Sequence, residues 1–234
     1  MPDRIILIDK PYRWTSFDVV KKLKKPLLEE KRREYSGDKN EIKRLRVGHA
    51  GTLDPLATGL LIVCTGRFTK KISEIQMQQK EYTGTMVLGA VTESYDLETE
   101  PGQFKSIEHV DEKLIISTAL GFCGNQLQKA PLHSAKKIGG MRAYEKARKG
   151  EAFEMKPHEI EVYSFEIVSI SLPHINFRIC CSKGTYIRSL VHDFGQKLGT
   201  GGYLSALCRT RIGDYNLQDA TSPEAFLMHL SEIQ

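Results

Sequence analysis

Apolar and polar positions along the chain fall into a short series of predicted elements. Residues 4–9 are apolar and β-branched and predict a strand that Lys10-Pro11 ends. Thr15 or Ser16 can cap a helix whose apolar positions are Phe17, Val19, Val20 and Leu23; Pro26 is expected to interrupt or kink it. Residues 31–43 are highly charged and contain Ser36-Gly37-Asp38-Lys39-Asn40, a loop pattern. An unbroken apolar run, Leu60-Leu61-Ile62-Val63-Cys64, continues to Thr65, where Gly66 breaks the pattern. Residues 70–79 are helical in character, and residues 81–91 alternate as a strand, with Tyr82, Gly84, Met86 and Leu88 on one face.

The second half reads in the same way. Residues 92–103 form an acidic, turn-rich loop and residues 108–121 a helix. Residues 123–150 are rich in Gly, Lys and Arg, and Pro131, Gly139 and Gly140 break any long element. They predict an insertion outside the core that ends in a short basic helix, 143–149. Strands are expected at 159–171 and 175–181, with Pro173 between them. A helix at 185–198 has a stripe of Ile187, Leu190, Val191, Phe194 and Leu198. Residues 199–202 turn the chain, 203–212 are strand-like, and Pro223 starts a terminal helix with Phe226, Leu227, Leu230 and Ile233. Strands and helices in mixed order make the chain α/β (α+β). Neither a repeat nor a linker is present, so one domain over 1–234 is expected.

The stretch 49–61 packs Gly51, Pro55 and Gly59 around one carboxylate, Asp54. Pro55 pushes Asp54 toward extended backbone, and the glycines permit tight turns or close backbone approach. One reading is a fixed loop presenting an acid at a sheet edge. The other is an Asp54 N-cap with Pro55 as the first helical residue and Gly59 ending a single turn, which local pattern alone favours.

Composition narrows the function. The 234 residues are 40% hydrophobic and 27% charged, ordinary for a globular chain with a sizeable core. No apolar run approaches a membrane span and no signal peptide is read at the N-terminus; together with the reduced thiols that the cysteine pattern suggests, a cytoplasmic protein is expected. The five cysteines lack Cys-x-x-Cys spacing and read as reduced, buried thiols; the seven histidines lack metal-ligand spacing. The net charge is only +5, but residues 21–46 hold eleven Lys or Arg against five acids and residues 129–150 hold seven against one. Separated basic patches on a nearly balanced chain suit a polyanion held at specific places.

Four further side chains carry candidate chemistry. Arg188 sits in the first turn of its helix, where the macrodipole disfavours a cation and a specific anion partner is expected. Tyr186 stands at that helix entrance, Tyr82 starts a strand, and His49 precedes Asp54 by five residues. Read separately, the tyrosines are packing residues, Arg188 a surface cation and His49 a loop hydrogen-bonder. Read together they fit an enzyme that extrudes a base, stacks it on an aromatic ring and acts on it with an Arg-paired carboxylate.

The run Gly48-His49-Ala50-Gly51-Thr52-Leu53-Asp54-Pro55-Leu56-Ala57-Thr58-Gly59-Leu60-Leu61 resembles the signature of the bacterial tRNA pseudouridine-55 synthases, the TruB family. Asp9-Lys10-Pro11, Trp14-Thr15-Ser16-Phe17-Asp18, Tyr82, Pro131 to Lys137, Tyr144, Ala147-Arg148, Ser182-Lys183-Gly184-Thr185-Tyr186-Ile187-Arg188 and Leu207 to Gly213 extend the resemblance over residues 3–213. It implies the pseudouridine synthase fold, a mixed and mostly antiparallel central sheet with flanking helices and an RNA-gripping insertion. It implies isomerisation of the T-loop uridine at tRNA position 55, with no cofactor, metal or protein partner, by a monomer acting on the T-arm stem-loop. Asp54 matches the catalytic aspartate, which starts glycosidic cleavage either by addition to sugar or base or by abstracting a ribose proton. Tyr82 matches the tyrosine stacking on the flipped uracil. Arg188 matches the arginine paired with the aspartate, and Tyr186 the tyrosine assisting proton removal at carbon 5. Leu207 matches an apolar residue near the base, and His49 the histidine that helps insert into or displace the T-loop. Lys136, Lys137 and Arg142 fall in the gripping insertion. Departures are the missing C-terminal PUA domain, Ala130 and His133 where Pro and Tyr are common, and a long segment at 28–45. Cys208 stands in place of the first Arg of Leu-Arg-Arg, removing a phosphate contact. Rival readings are a tRNA-folding chaperone with incidental turnover and a guide-RNA-dependent synthase.

Overall fold

The apolar run begins three residues earlier than Leu60 and forms strand β3, Ala57–Thr65, in which every residue except Thr58 is buried. The computed structural model describes residues 3–34, 45–134, 136–149 and 153–232. They divide into two compact units, Met1–Glu81 with Cys208–Gln234, and Tyr82–Leu207. In the first unit β3 pairs antiparallel with β1, Ile5–Lys10, in a register running from Ile5↔Cys64 to Lys10↔Gly59. A short strand absent from the sequence reading, β2, Val47–His49, also pairs with β3, His49 opposite Val63.

β3 lacks polar alternation because both its faces are covered. Leu61 and Val63 pack with Ile6, Ile8 and the helix residues Val19, Leu23 and Leu27, together with Leu230. Leu60, Ile62 and Cys64 pack with Ala50, Ile75 and Ile212. The helix, α1, spans Ser16–Glu34. Thr15 is its cap: Thr15 Oγ accepts from the Asp18 N–H at 3.0 Å, and the Asp18 carboxylate accepts from the Thr15 N–H at 2.8 Å, a reciprocal box. Pro26 does not interrupt α1 as expected. A proline inside a helix costs about 3 kcal/mol, but Leu23 and Leu27 on either side are fully buried, and their packing carries the helix past it. The segment read as a loop from residue 31 is therefore helical to Glu34, and its remainder, 35–44, lies outside the described residues. The terminal helix, Pro223–Glu232, completes this unit.

In the second unit the sheet order is β4 (Lys80–Leu88), β9 (His174–Cys181), β8 (His158–Ser171), β5 (Gly124–Gln128). β8 and β9, the two strands expected on either side of Pro173, pair as a hairpin from Val162↔Cys181 to Ser171↔His174. The helices Glu112–Leu120 and Ile187–Lys197 belong to this unit, and Phe122, Phe165, Phe177 and Phe194 form an aromatic core through edge-on and tilted contacts. The predicted insertion at 123–150 is too wide. Gly124–Gln128 pairs residue by residue with β8 and ends on the buried Gln128, so these five residues belong to the sheet and only the span after them is left for the predicted insertion. Within it a two-residue hairpin, β6 (Lys137–Ile138) with β7 (Met141–Arg142), leads into the short helix Ala143–Arg148. Strand β10, Gly202–Ile212, has residues in both units. The class is mixed α/β with mostly antiparallel pairing, as expected. Among the cysteines, all free, Cys64 and Cys181 are buried but Cys123 is exposed, against the expectation of buried thiols.

Candidate active site

Asp54 lies in the segment between β2 and β3, and the local backbone settles its two readings. No helix forms. Pro55-Leu56 make a single turn closed by the Ala57 N–H on the Asp54 carbonyl at 3.1 Å, and Gly59 lies inside β3 instead of ending that turn. Asp54 itself is half-buried. Its predecessor is pinned by Ser16: the Leu53 N–H donates to Ser16 Oγ at 2.9 Å, and that hydroxyl donates to the Leu53 carbonyl at 3.2 Å. Its successor is pinned by the Arg13 N–H, which donates to the Pro55 carbonyl at 2.8 Å. Gly51 and Gly59 adopt φ of 94° and 97°, the left-handed region that favours glycine.

Two buried cations finish the loop. Lys10, with no exposed surface, donates from Nζ to the carbonyls of Trp14 at 2.6 Å, Pro11 at 3.0 Å and Pro55 at 3.4 Å. Burial pushes its pKa down to about 8, against the pull of the Asp54 carboxylate. Arg209, 1% exposed, donates from Nε to the Leu60 carbonyl at 2.8 Å and from Nη2 to the Gly51 carbonyl at 3.0 Å. His49, half-buried beside this segment, has its pKa lowered by burial and then by the Arg209 charge, which keeps the ring neutral near pH 7.

Tyr82, Tyr186, Arg188 and Leu207 belong to the second unit. Arg188 is not a surface cation. It is 3% exposed, second in its helix, and lies 3.4 Å from the equally buried Asp96 carboxylate; it also donates to the carbonyls of Ser94 at 3.0 Å and His133 at 3.1 Å. Tyr186 is the N-cap residue of the helix Ile187–Lys197. Its N–H donates to Gln128 Oε1 at 2.8 Å, its carbonyl accepts from Gln128 Nε2 at 3.0 Å, and its ring meets His158 edge-on at 6.1 Å. Tyr82 is buried on β4, and Leu207 is half-buried on β10. In the insertion the Lys136 carbonyl accepts from the Ala143 N–H at 2.8 Å. Lys137 and Arg142 are opposite each other in the hairpin, and their side chains lie outside the described residues. No group of three or more His, Cys, Asp or Glu is placed to hold a metal among the described residues, and no helix among them is long and apolar enough to cross a membrane.

A family model described as TruB family pseudouridylate synthase, N terminal domain, matches residues 39–187. The chain belongs to the TruB family. It is 52% identical over 220 residues to tRNA pseudouridine synthase B of Flavobacterium johnsoniae, covering 93% of this chain and 91% of that one. The protein of the same name from Chlorobaculum tepidum is 47% identical over 221 residues, covering 94% and 88%. Two solved structures share the fold: an H/ACA RNP bound to a substrate RNA containing 2'-deoxyuridine, at TM-score 0.68 and 25% identity, and a Cbf5-Nop10-Gar1 complex, at 0.67 and 28%. The chain is covered to 97% and 96% in these matches but spans about half, 53%, of each of those chains. A TruB pseudouridine synthase is an isomerase, and this chain is one.

Three residues bonded to the candidate segments of the two units escaped the sequence reading. Lys10 and Arg209 were present only as members of longer motifs, and a cation in an apolar strand carries no local sign that it is buried. Asp96 was one of four acids in the stretch 92–103 read as a loop; the signal for it was the unfavourable position of Arg188, which demands an anion. Cys208, which stands where the family pattern has an Arg, is half-buried against β3: its Sγ would stand 2.8 Å from a Cβ at Gly59, and it bonds Thr58.

Proposed function

We propose that this TruB chain converts the T-loop uridine at tRNA position 55 to pseudouridine, as a monomer in the cytoplasm that needs only the T-arm stem-loop and no protein partner or cofactor. The observation that carries the reading is the Asp54 loop. Six hydrogen bonds tie Ser16, Arg13, Lys10 and Arg209 to backbone groups of Gly51, Leu53, Pro55 and Leu60, so the scaffold fixes one carboxylate. The relatives called tRNA pseudouridine synthase B at 52% and 47% identity support the choice of substrate.

The isomerisation balances without a redox partner. The bond between ribose C1' and uracil N1 breaks, the base turns, a bond between C1' and C5 forms, the C5 proton leaves and N1 gains one. In this reading Asp54 starts the cleavage and Tyr186 assists removal of the C5 proton. Arg188, beside Asp96 in its own unit, is assigned by the family pattern to keeping the reacting carboxylate ionised. Tyr82 stacks on the flipped base, which must leave its helix stack to be reached, and Leu207 packs beside it. His49 displaces the T-loop while neutral. Lys136, Lys137 and Arg142 hold phosphates, contacts that position the RNA without reading sequence.

The test is to map pseudouridine in a tRNA transcript, and in a bare T-arm stem-loop, after treatment with the pure protein and with Asp54→Asn. The wild type should modify a single T-loop uridine in both RNAs, and the variant should bind tRNA without modifying it. Turnover by Asp54→Asn would refute the catalytic assignment, and modification outside the T-loop would refute the substrate.

A further inference from the structure

Arg209 heads the fully buried side chains by volume. A guanidinium keeps its charge throughout the working pH range, and burying one is unfavourable unless it is paired. Among the described residues it has no carboxylate partner; its hydrogen bonds go to two carbonyls, Leu60 and Gly51. An apolar side chain would satisfy the packing at lower cost. The two carbonyls are not arbitrary, since Gly51 and Leu60 lie on either side of Asp54. The backbone of Arg209 also stands against the same segment: a Cβ at Gly59 would be 2.4 Å from the Arg209 carbonyl oxygen and 2.8 Å from its nitrogen.

We propose that Arg209 is a positioning residue for the reaction: its planar fork clamps the entrance and the exit of the Asp54 loop, and its uncompensated charge sets a positive field there. The proposal rests on the reading of Asp54 as the catalytic carboxylate. Two neighbours register the field. His49, just before the loop, and Lys10, bonded to Pro55 within it, both have their pKa lowered in part by the Arg209 charge. A lysine at 209 would keep the charge but not the fork, because an ammonium is a point donor on a flexible stem.

The test measures single-turnover release of tritium placed at uridine C5 of tRNA, together with tRNA affinity. A displacement of about 1 Å can cost about 100-fold in rate. Arg209→Met should therefore lower the rate constant about 100-fold, and Arg209→Lys about tenfold, with Kd for tRNA changed by no more than about threefold in either. Titration of the His49 imidazole by NMR in the free protein should move up toward 6.5 in Arg209→Met and stay low in Arg209→Lys. A wild-type rate in either folded variant would overturn the clamp, and an unmoved His49 in Arg209→Met would overturn the field. Should Arg209→Met not fold, the rate of Arg209→Lys decides. If the wild type itself failed to isomerise uridine, the proposed function would fall, while the His49 titration would still test the field.

Discussion

Replacing Gly59 by alanine separates two costs that usually come together. Gly59 and Gly124 have nearly the same backbone, φ of 97° and 98°. At either position an L side chain must adopt the left-handed region, at a cost of about 1–2 kcal/mol. Their surroundings differ. A Cβ at Gly124, on the exposed start of β5, meets nothing within 4 Å. A Cβ at Gly59 meets the Arg209 carbonyl oxygen at 2.4 Å, and the Arg209 nitrogen and Cys208 Sγ at 2.8 Å. Backbone atoms of a paired strand cannot rotate away, so β10 or β3 must shift. Forcing extra volume into such a place adds about 1–3 kcal/mol. Gly59→Ala should thus lose roughly 2–5 kcal/mol in total, against about 1–2 for Gly124→Ala. For a chain of this size the first corresponds to a fall in Tm of roughly 5–15 °C. Urea unfolding followed by circular dichroism, extrapolated linearly, gives both numbers. Equal losses for the two alanines would show that the contact between Gly59 and Arg209 yields without strain, and would remove the argument that this glycine fixes the loop.

Removing the carboxylate partner of Arg188 should be costly for another reason. Asp96→Ala takes a buried acid away from a buried cation, a loss of roughly 3 kcal/mol, readable as a lower urea midpoint; a loss under about 1 kcal/mol would show that the carbonyls of Ser94 and His133 suffice. Lys10 predicts a pH effect. Its ordinary pKa is 10.5 and burial lowers it to about 8, with Asp54, Arg209, Asp18 and Asp9 as the charges around it. Between those values the unfolded chain holds a proton that the folded chain has released, so stability gains as pH rises through that window. Lys10→Met lacks this gain, so the wild type should improve relative to it between about pH 7.5 and about pH 10; a constant difference would contradict the lowered value. Neutralising Lys136, Lys137, Arg142 and Lys146 together should weaken tRNA binding and flatten the dependence of log Kd on log salt, its slope falling by about 0.7–0.9 for each phosphate no longer neutralised. An unchanged slope would exclude the insertion as the RNA grip.

The fold was legible wherever pattern and packing agree. The Ile175–Cys181 alternation and the stripe at Ile187, Leu190, Val191 and Phe194 each face one core, and periodicity reports one-sided burial. It failed where tertiary contacts override local preference. Pro26 is an interrupting signal that Leu23 and Leu27 overrule. Val47–His49 is three residues long, too short to alternate, and exists because β3 offers it an edge. Gly124–Gln128 has the polarity of a loop, since only Gln126 and Gln128 point away from solvent. For the site, the Gly and Pro punctuation around Asp54 was visible, but local rules favoured a helix cap. What decides against it is held by Lys10, Ser16 and Arg209, residues distant in sequence. No local window contains them.

The pair formed by Gln128 and Tyr186 gives the insertion a mechanical constraint. The amide of Gln128 occupies both backbone groups of Tyr186, in the way a neighbouring strand would. Two residues later Ala130 packs with Ala143 and Met155 against the same tyrosine. The root of the insertion and Tyr186 are therefore joined by two amide bonds and a shared apolar contact. Any swing of the hairpin must pivot beyond Ala130, leaving the tyrosine still, or else drag it along. Grip on the RNA and placement of a reacting group are mechanically independent in the first case and geared together in the second. Which holds is written in where the chain bends, not in how tightly it binds.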